Sequence, residues 1–199
     1  MIATHRTFFK IAFSSCLLLS VPAAVNAAMP QKWALDVPKT NVNFKVAYLG
    51  SGTVEGKFHK VNGTINYDVK QPTRTAINFT VDTKSVDTGR KMRDNFLRRK
   101  ELLNSDKFPT MTFVSKKVSM INDKEANVTG DFTVLGQTKP LTIKVKLSNV
   151  ESDPATKRPI LKFRATGLIN RYDYGVTAFP KVVGNMIPLD ISGNLVAAN

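Results

Sequence analysis

Cysteine is all but missing from this 199-residue chain. The single one, Cys16, falls in the first 27 residues, so no disulfide can brace residues 28–199 and burial alone must hold their core together. Histidine is as scarce, with His5 in the same leading stretch and His59 alone beyond it. A histidine-based triad would have to use His59, which lies between Lys57 and Lys60 near a turn and reads as a solvated side chain. Metal ligation lacks material too: beyond residue 27 there is no cysteine, no second histidine and no DxDxDG-like loop. Asp82 and Asp87 could pair as glycosidase carboxylates, but acids just before a helix are more often caps or turn formers. These absences argue for a protein that is not an enzyme and carries no metal or other cofactor. Acidic residues are also short, 15 against 29 Lys and Arg, for a net charge of +14.

The first 27 residues read as an export signal. His5, Arg6 and Lys10 make a positive start, residues 11–21 form an apolar run too short to span a bilayer, and Val25, Asn26 and Ala27 suit a signal peptidase. Cleavage near Ala27 is expected to remove residues 1–27 and export residues 28–199 as a single domain. Leu17, Leu18 and Leu19 continue the apolar run past Cys16, which therefore does not sit at a lipidation cut. Without Arg6 and Lys10 the chain keeps 27 basic against 15 acidic residues, or +12. Such a charge attracts phosphate, anionic head groups or nucleic acid without choosing among them. Nucleic acid is the poorest fit, because the chain lacks aromatics interleaved with basic residues for base stacking.

From Trp33 onward, short alternating runs are punctuated by turn residues, the pattern of an antiparallel all-β domain. Val42, Phe44, Val46 and Tyr48 share one strand face, and Ile77, Phe79 and Val81 share another. Asn62-Gly63 predicts a tight hairpin between strands 53–58 and 64–69. Further strands are predicted over 110–119, 125–135, 141–150, 161–169 and 187–196. Between the two β halves, Met92, Phe96, Leu97 and Leu103 fall on one side of a 3.6-residue period, and Arg93, Arg98, Arg99 and Lys100 crowd the rest. That predicts an amphipathic helix of about three turns. Asp87 or Thr88 would cap it, Phe108-Pro109 would end it, and it would cross one end of the domain. Its basic cluster reads either as a wet helix face or as a contact for a pyrophosphate or a membrane surface.

About eight strands can close into a barrel or stack as a sandwich. Closure is favoured by large residues on the apolar faces (Phe44, Phe58, Phe79, Phe113, Phe132, Phe163) and by Gly56, Gly130, Gly167 and Gly193 inside strands. Alternation leaves open whether the rings fill the middle or line a hollow.

Several motifs carry a family resemblance. They are Trp33-Ala34-Leu35-Asp36, Asn41-Val42-Asn43-Phe44-Lys45-Val46, Asp82-Thr83-Lys84-Ser85-Val86-Asp87-Thr88-Gly89, Thr112-Phe113-Val114-Ser115, the stretch 130–140 beginning Gly130-Asp131-Phe132, and Asn170-Arg171-Tyr172-Asp173-Tyr174-Gly175. In this order they resemble the YceI-like family of periplasmic polyisoprenoid-binding proteins. The resemblance implies an antiparallel lipocalin-like β-barrel of about eight strands, with an apolar lumen for a long isoprenoid or fatty chain, often in a homodimer. On this reading the tail lies among Phe44, Val46, Phe58, Ile77, Phe79, Phe113, Phe132 and Leu141, with Tyr48, Arg93 and Arg98 near the head group. Family histidines are replaced here by Lys39, Tyr48 and Phe96, while Asn170, Arg171 and Asp173 keep the pattern and read as a hydrogen-bonded corner. The function implied is a periplasmic carrier that sequesters a polyisoprenoid, an isoprenoid quinone or a fatty-acid derivative, with at most peripheral membrane contact. A lipid-modifying enzyme and a stress-related interaction protein with a filled barrel are the alternatives.

Overall fold

The computed structural model describes residues 32–48 and 52–197; the expected leader lies outside them. Alternating side chains produce strands β1 (Lys32–Leu35), β2 (Asn41–Tyr48), β3 (Gly52–Phe58), β4 (Val61–Asp68), β5 (Ala76–Asp82) and β6 (Val86–Asp87). After helix α1 (Lys91–Leu97) come β7 (Thr110–Asn122), β8 (Glu125–Val134), β9 (Gln137–Ser152), β10 (Pro159–Asn170) and β11 (Met186–Ala197).

All strand pairs among the described residues are antiparallel, and the sheet closes because β1 pairs with both β4 and β11. The ring has eight walls, three of them broken into two strands. β1 and β2 follow the same neighbour, β11, and the 3-10 turn Val37–Lys39 interrupts them. β3 and β4 pair back onto β2 and β1, and β6 and β5 onto β3 and β4. The result is the closed up-and-down barrel expected from the sequence, its sheet joined edge to edge.

Two local expectations need correcting. Asn62-Gly63 makes no hairpin: both residues lie within the β4–β5 ladder, opposite Thr80 and Phe79. The wall bends instead at His59 and Lys60, where His59 N donates to Ser85 O and Asp82 N donates to Lys60 O. Gly63 serves space, not a turn, since a Cβ there would stand 2.9 Å from Phe79 Cδ2.

The helix is also shorter and turned differently. It has seven residues, and Arg90 occupies the N-cap without a side-chain bond. Thr88 and Asp87 are otherwise engaged: Thr88 donates its N–H and Oγ1 to Asp94 Oδ1 (2.8 and 2.5 Å), and Asp87 Oδ1 accepts from Gly89 N. So short a helix is marginal alone, and its contacts with the barrel hold it in place. Leu97, Leu102 and Leu103 turn inward, whereas Met92 is 86% exposed and Phe96 36%. The 3.6-residue period grouped all the apolar residues, but Met92 and Phe96, one turn apart, form an outer stripe.

Register shifts in β7 between Ser115 and Lys117 change which parity faces the axis. Phe113 therefore points inward before the shift, and Val118 and Met120 point inward after it. Buried side chains gather in three clusters around the wall: one centred on Phe113, Phe132 and Tyr174, one on Trp33 and Phe163, one on Phe44, Phe58 and Val86.

Candidate functional site

The barrel axis holds a cavity of about 280 Å³, counted as the space open to the centres of water-sized spheres. Its wall runs from Leu97, Leu103 and Val183 at the helical end to Pro72, Met120 and Leu147 at the other. Along β8 the lining reaches from Ala126 to Val134. That is roughly 27 Å of strand, or roughly 20 Å of axis once barrel tilt is allowed for. Spread over this length, that space is about 2.1 Å in radius, and adding the roughly 1.4 Å radius of a water puts the wall about 3.5 Å from the axis, against about 2 Å for a carbon chain. One aliphatic chain fits, and two side by side do not.

All eight residues expected to line the lumen do so: Phe44, Val46, Phe58, Ile77, Phe79, Phe113, Phe132 and Leu141. Their rings lie against the wall instead of meeting across the axis, and glycine is the reason. Gly56 stands opposite Phe44, Gly63 opposite Phe79 and Gly193 opposite Phe163, each on the inward side of its pair. Cβ atoms added at Gly63 and Gly193 would come within 2.9 Å of those rings, and one at Gly130 within 2.7 Å of Phe113 Cζ. Each ring thus occupies the place of a missing neighbour side chain, which leaves the middle vacant.

The wall presents almost only carbon. Tyr67 and Tyr174 join it, and burial pushes both phenols above their ordinary range, so they add no charge near neutral pH. Tyr174 also packs edge-on against Phe132, with ring centroids 5.5 Å apart. At the far rim Glu125 meets Lys144 Nζ at 2.8 Å and Lys146 Nζ at 3.2 Å, and these ammonium groups hold its carboxyl below the usual range. Such a cavity has the chemistry to shelter hydrocarbon.

The residues expected near a head group lie toward the helical end of the barrel. Tyr48 is exposed at the end of β2 and bridges to Val183. Arg93 donates Nε to Thr88 Oγ1 and Nη2 to Thr88 O, both at 2.7 Å. Arg98 donates Nε to Lys84 O, Nη1 to Asn95 Oδ1 and Nη2 to Val86 O. Both guanidinium groups stitch the segment before the helix, and none of the three residues lines the lumen. His59 Nε2 lies 2.7 Å from Asp87 Oδ2 on the outer surface, away from the cavity. The corner expected of Asn170, Arg171 and Asp173 is present. Buried Arg171 donates to the carbonyls of Val176, Ala178, Val183 and Gly184, and Asn170 Nδ2 donates to Asp173 Oδ1. Sequence reasoning missed the lining roles of Tyr67, Val118, Met120, Ile143 and Ile187, of which Ile143 and Ile187 were legible from alternation alone.

The model of the YceI-like domain family matches residues 33–195. Protein YceI of Salmonella arizonae and that of Salmonella enteritidis are each 40% identical over 137 residues, spanning 68% of this chain and 70% of theirs. Among solved structures, Burkholderia cenocepacia BcnA superposes with a TM-score of 0.72 at 22% identity, over 82% of this chain and 99% of that one. A Campylobacter jejuni YceI protein gives 0.67 at 24% identity, over 76% and 90%. A polyisoprenoid binding domain from Saccharophagus degradans gives 0.60 at 13% identity, over 83% and 98%. With the barrel, its lumen and these likenesses in agreement, the chain belongs to the YceI-like domain family.

Proposed function

We propose that this protein binds one long aliphatic chain, of a polyisoprenoid, an isoprenoid quinone or a fatty-acid derivative, and carries or stores it in the periplasm. The observation that supports this most is the carbon-lined lumen, wide enough for a single chain, with its charged residues kept to the two ends. Each methylene moved from water into it contributes about 0.8 kcal/mol. Ten give about 8 kcal/mol, comparable to the roughly 4–15 kcal/mol lost on association, so affinity grows with chain length and needs no specific polar contact. The name of the Saccharophagus degradans neighbour points to the same ligand class. Binding without catalysis fits the position of His59 and Asp87, the nearest approach to an acid–base pair, outside the lumen.

The test is mass spectrometry of a solvent extract from protein purified without detergent. A long-chain lipid in near-equimolar amount is expected. Empty protein that also takes up no added polyprenol would overturn the proposal.

A further inference from the structure

The helical end of the barrel carries an apolar surface that the lumen does not use. Met92, 86% exposed, and Phe96 lie one turn apart on the outer stripe of α1, and the Phe96 ring meets that of Phe179 at 5.5 Å. Val182, whose N–H donates to Phe179 O, and Tyr48, bridged to Val183, extend the patch. Phe179 has φ +57° and stays 44% exposed, a conformation that is strained for an aromatic residue. The loop is nonetheless fixed, because buried Arg171 grips the carbonyls of Val176, Ala178, Val183 and Gly184 on either side of Phe179.

Arg90, Lys91, Arg99, Lys100 and Lys181 are exposed around this patch, with Arg99 over the Phe96 ring at 5.4 Å. At the opposite end the exposed large apolar side chains are Val69 and Ile121, and no aromatic joins them among the described residues. Apolar anchors inside a basic rim match a bilayer bearing anionic head groups, where rings enter the interface and cations meet phosphate. The same short helix sends Leu97 into the lumen, so it is the partition between cavity and patch.

We infer that the helical cap is a docking surface for anionic bilayers, placing the lumen end against the membrane that supplies or receives the lipid. This rests on the lipid-carrier reading for its purpose, though not for the contact itself. The test is co-sedimentation with vesicles of phosphatidylglycerol mixed with phosphatidylethanolamine, and with vesicles of phosphatidylcholine alone. The purified protein is expected to bind the anionic vesicles and to release them as salt rises. The double variant Met92→Ser, Phe96→Ser should bind about tenfold more weakly, and Arg99→Gln, Lys100→Gln by a similar factor. Lys116→Gln, Lys162→Gln, two exposed cations on the outer barrel wall, serves as the control and should leave binding unchanged. Uptake of a polyprenol delivered from detergent solution, measured in parallel, should survive the cap substitutions; its absence in all proteins would count against the lipid-carrier reading alone. No binding to anionic vesicles, equal loss in the control, or a patch that only joins two copies of the chain, shown by a dimer the cap variants dissociate, would overturn the docking inference.

Discussion

Asp153 shows how a single residue holds two parts of the barrel together. It is 3% exposed and accepts from Lys39 Nζ at 2.6 Å, Thr156 N at 2.8 Å and Ala155 N at 3.0 Å. The Lys39 contact, followed by the Thr156 N–H, holds its carboxyl far below the ordinary range. A lowered folded-state pKa stabilises the fold above the unfolded value and loses that stabilisation as pH falls toward the folded one. Thermal stability should therefore decline below about pH 4. Asp153→Asn should melt lower at pH 7 and show a flatter acid limb; parallel limbs would contradict this role. Lys39, one of the positions where family resemblance leads one to expect histidine, thus ties the β1–β2 break to the β9–β10 turn. Such a role was illegible in the sequence, because 114 residues separate the partners and no periodicity links them. The same limit hid the duties of Arg93 and Arg98, since guanidinium bonds to backbone carbonyls leave no pattern in side-chain spacing.

At the scale of elements, the phenylalanine–glycine pairs set the bore. Gly56 is the cleanest place to test this, because the nearest atoms to an added Cβ there all belong to the Phe44 ring, whereas at Gly130 the Val114 carbonyl is also in the way. Gly56→Ala should push that ring toward the axis, cost about 1–3 kcal/mol of stability and weaken binding of a long-chain lipid several-fold. An unchanged affinity, measured by fluorescence titration with a labelled fatty chain, would show that these glycines do not govern the lumen. Strand alternation was legible because the pleat of a β-strand sends successive side chains to opposite faces, and all eight expected tail residues accordingly lie on the lumen wall. What alternation could not supply was the register shift in β7 that brings Val118 and Met120 inward. Nor could it tell a turn-forming Asn62-Gly63 from a glycine kept small for a neighbouring ring.

For the whole molecule, the ring of eight walls was legible in strand number, in turn spacing and in the large apolar residues and in-strand glycines that favoured closure over a sandwich. Whether the ring was hollow was not, because periodicity fixes which face a side chain takes and says nothing of how far it reaches toward the axis. The lumen owes its width to pairings between strands, in which Phe44, Phe79 and Phe163 each lie over a glycine of the neighbouring strand, and alternation within one strand does not show which residue stands opposite. The most direct measurement of the central claim is isotope-edited NMR of the protein loaded with a ¹³C-labelled polyprenol. Cross-peaks from the chain to the rings of Phe44, Phe79, Phe113 and Phe132 are predicted. Cross-peaks confined to outer residues such as Met92 and Phe96, with the lumen rings unmoved, would contradict the account.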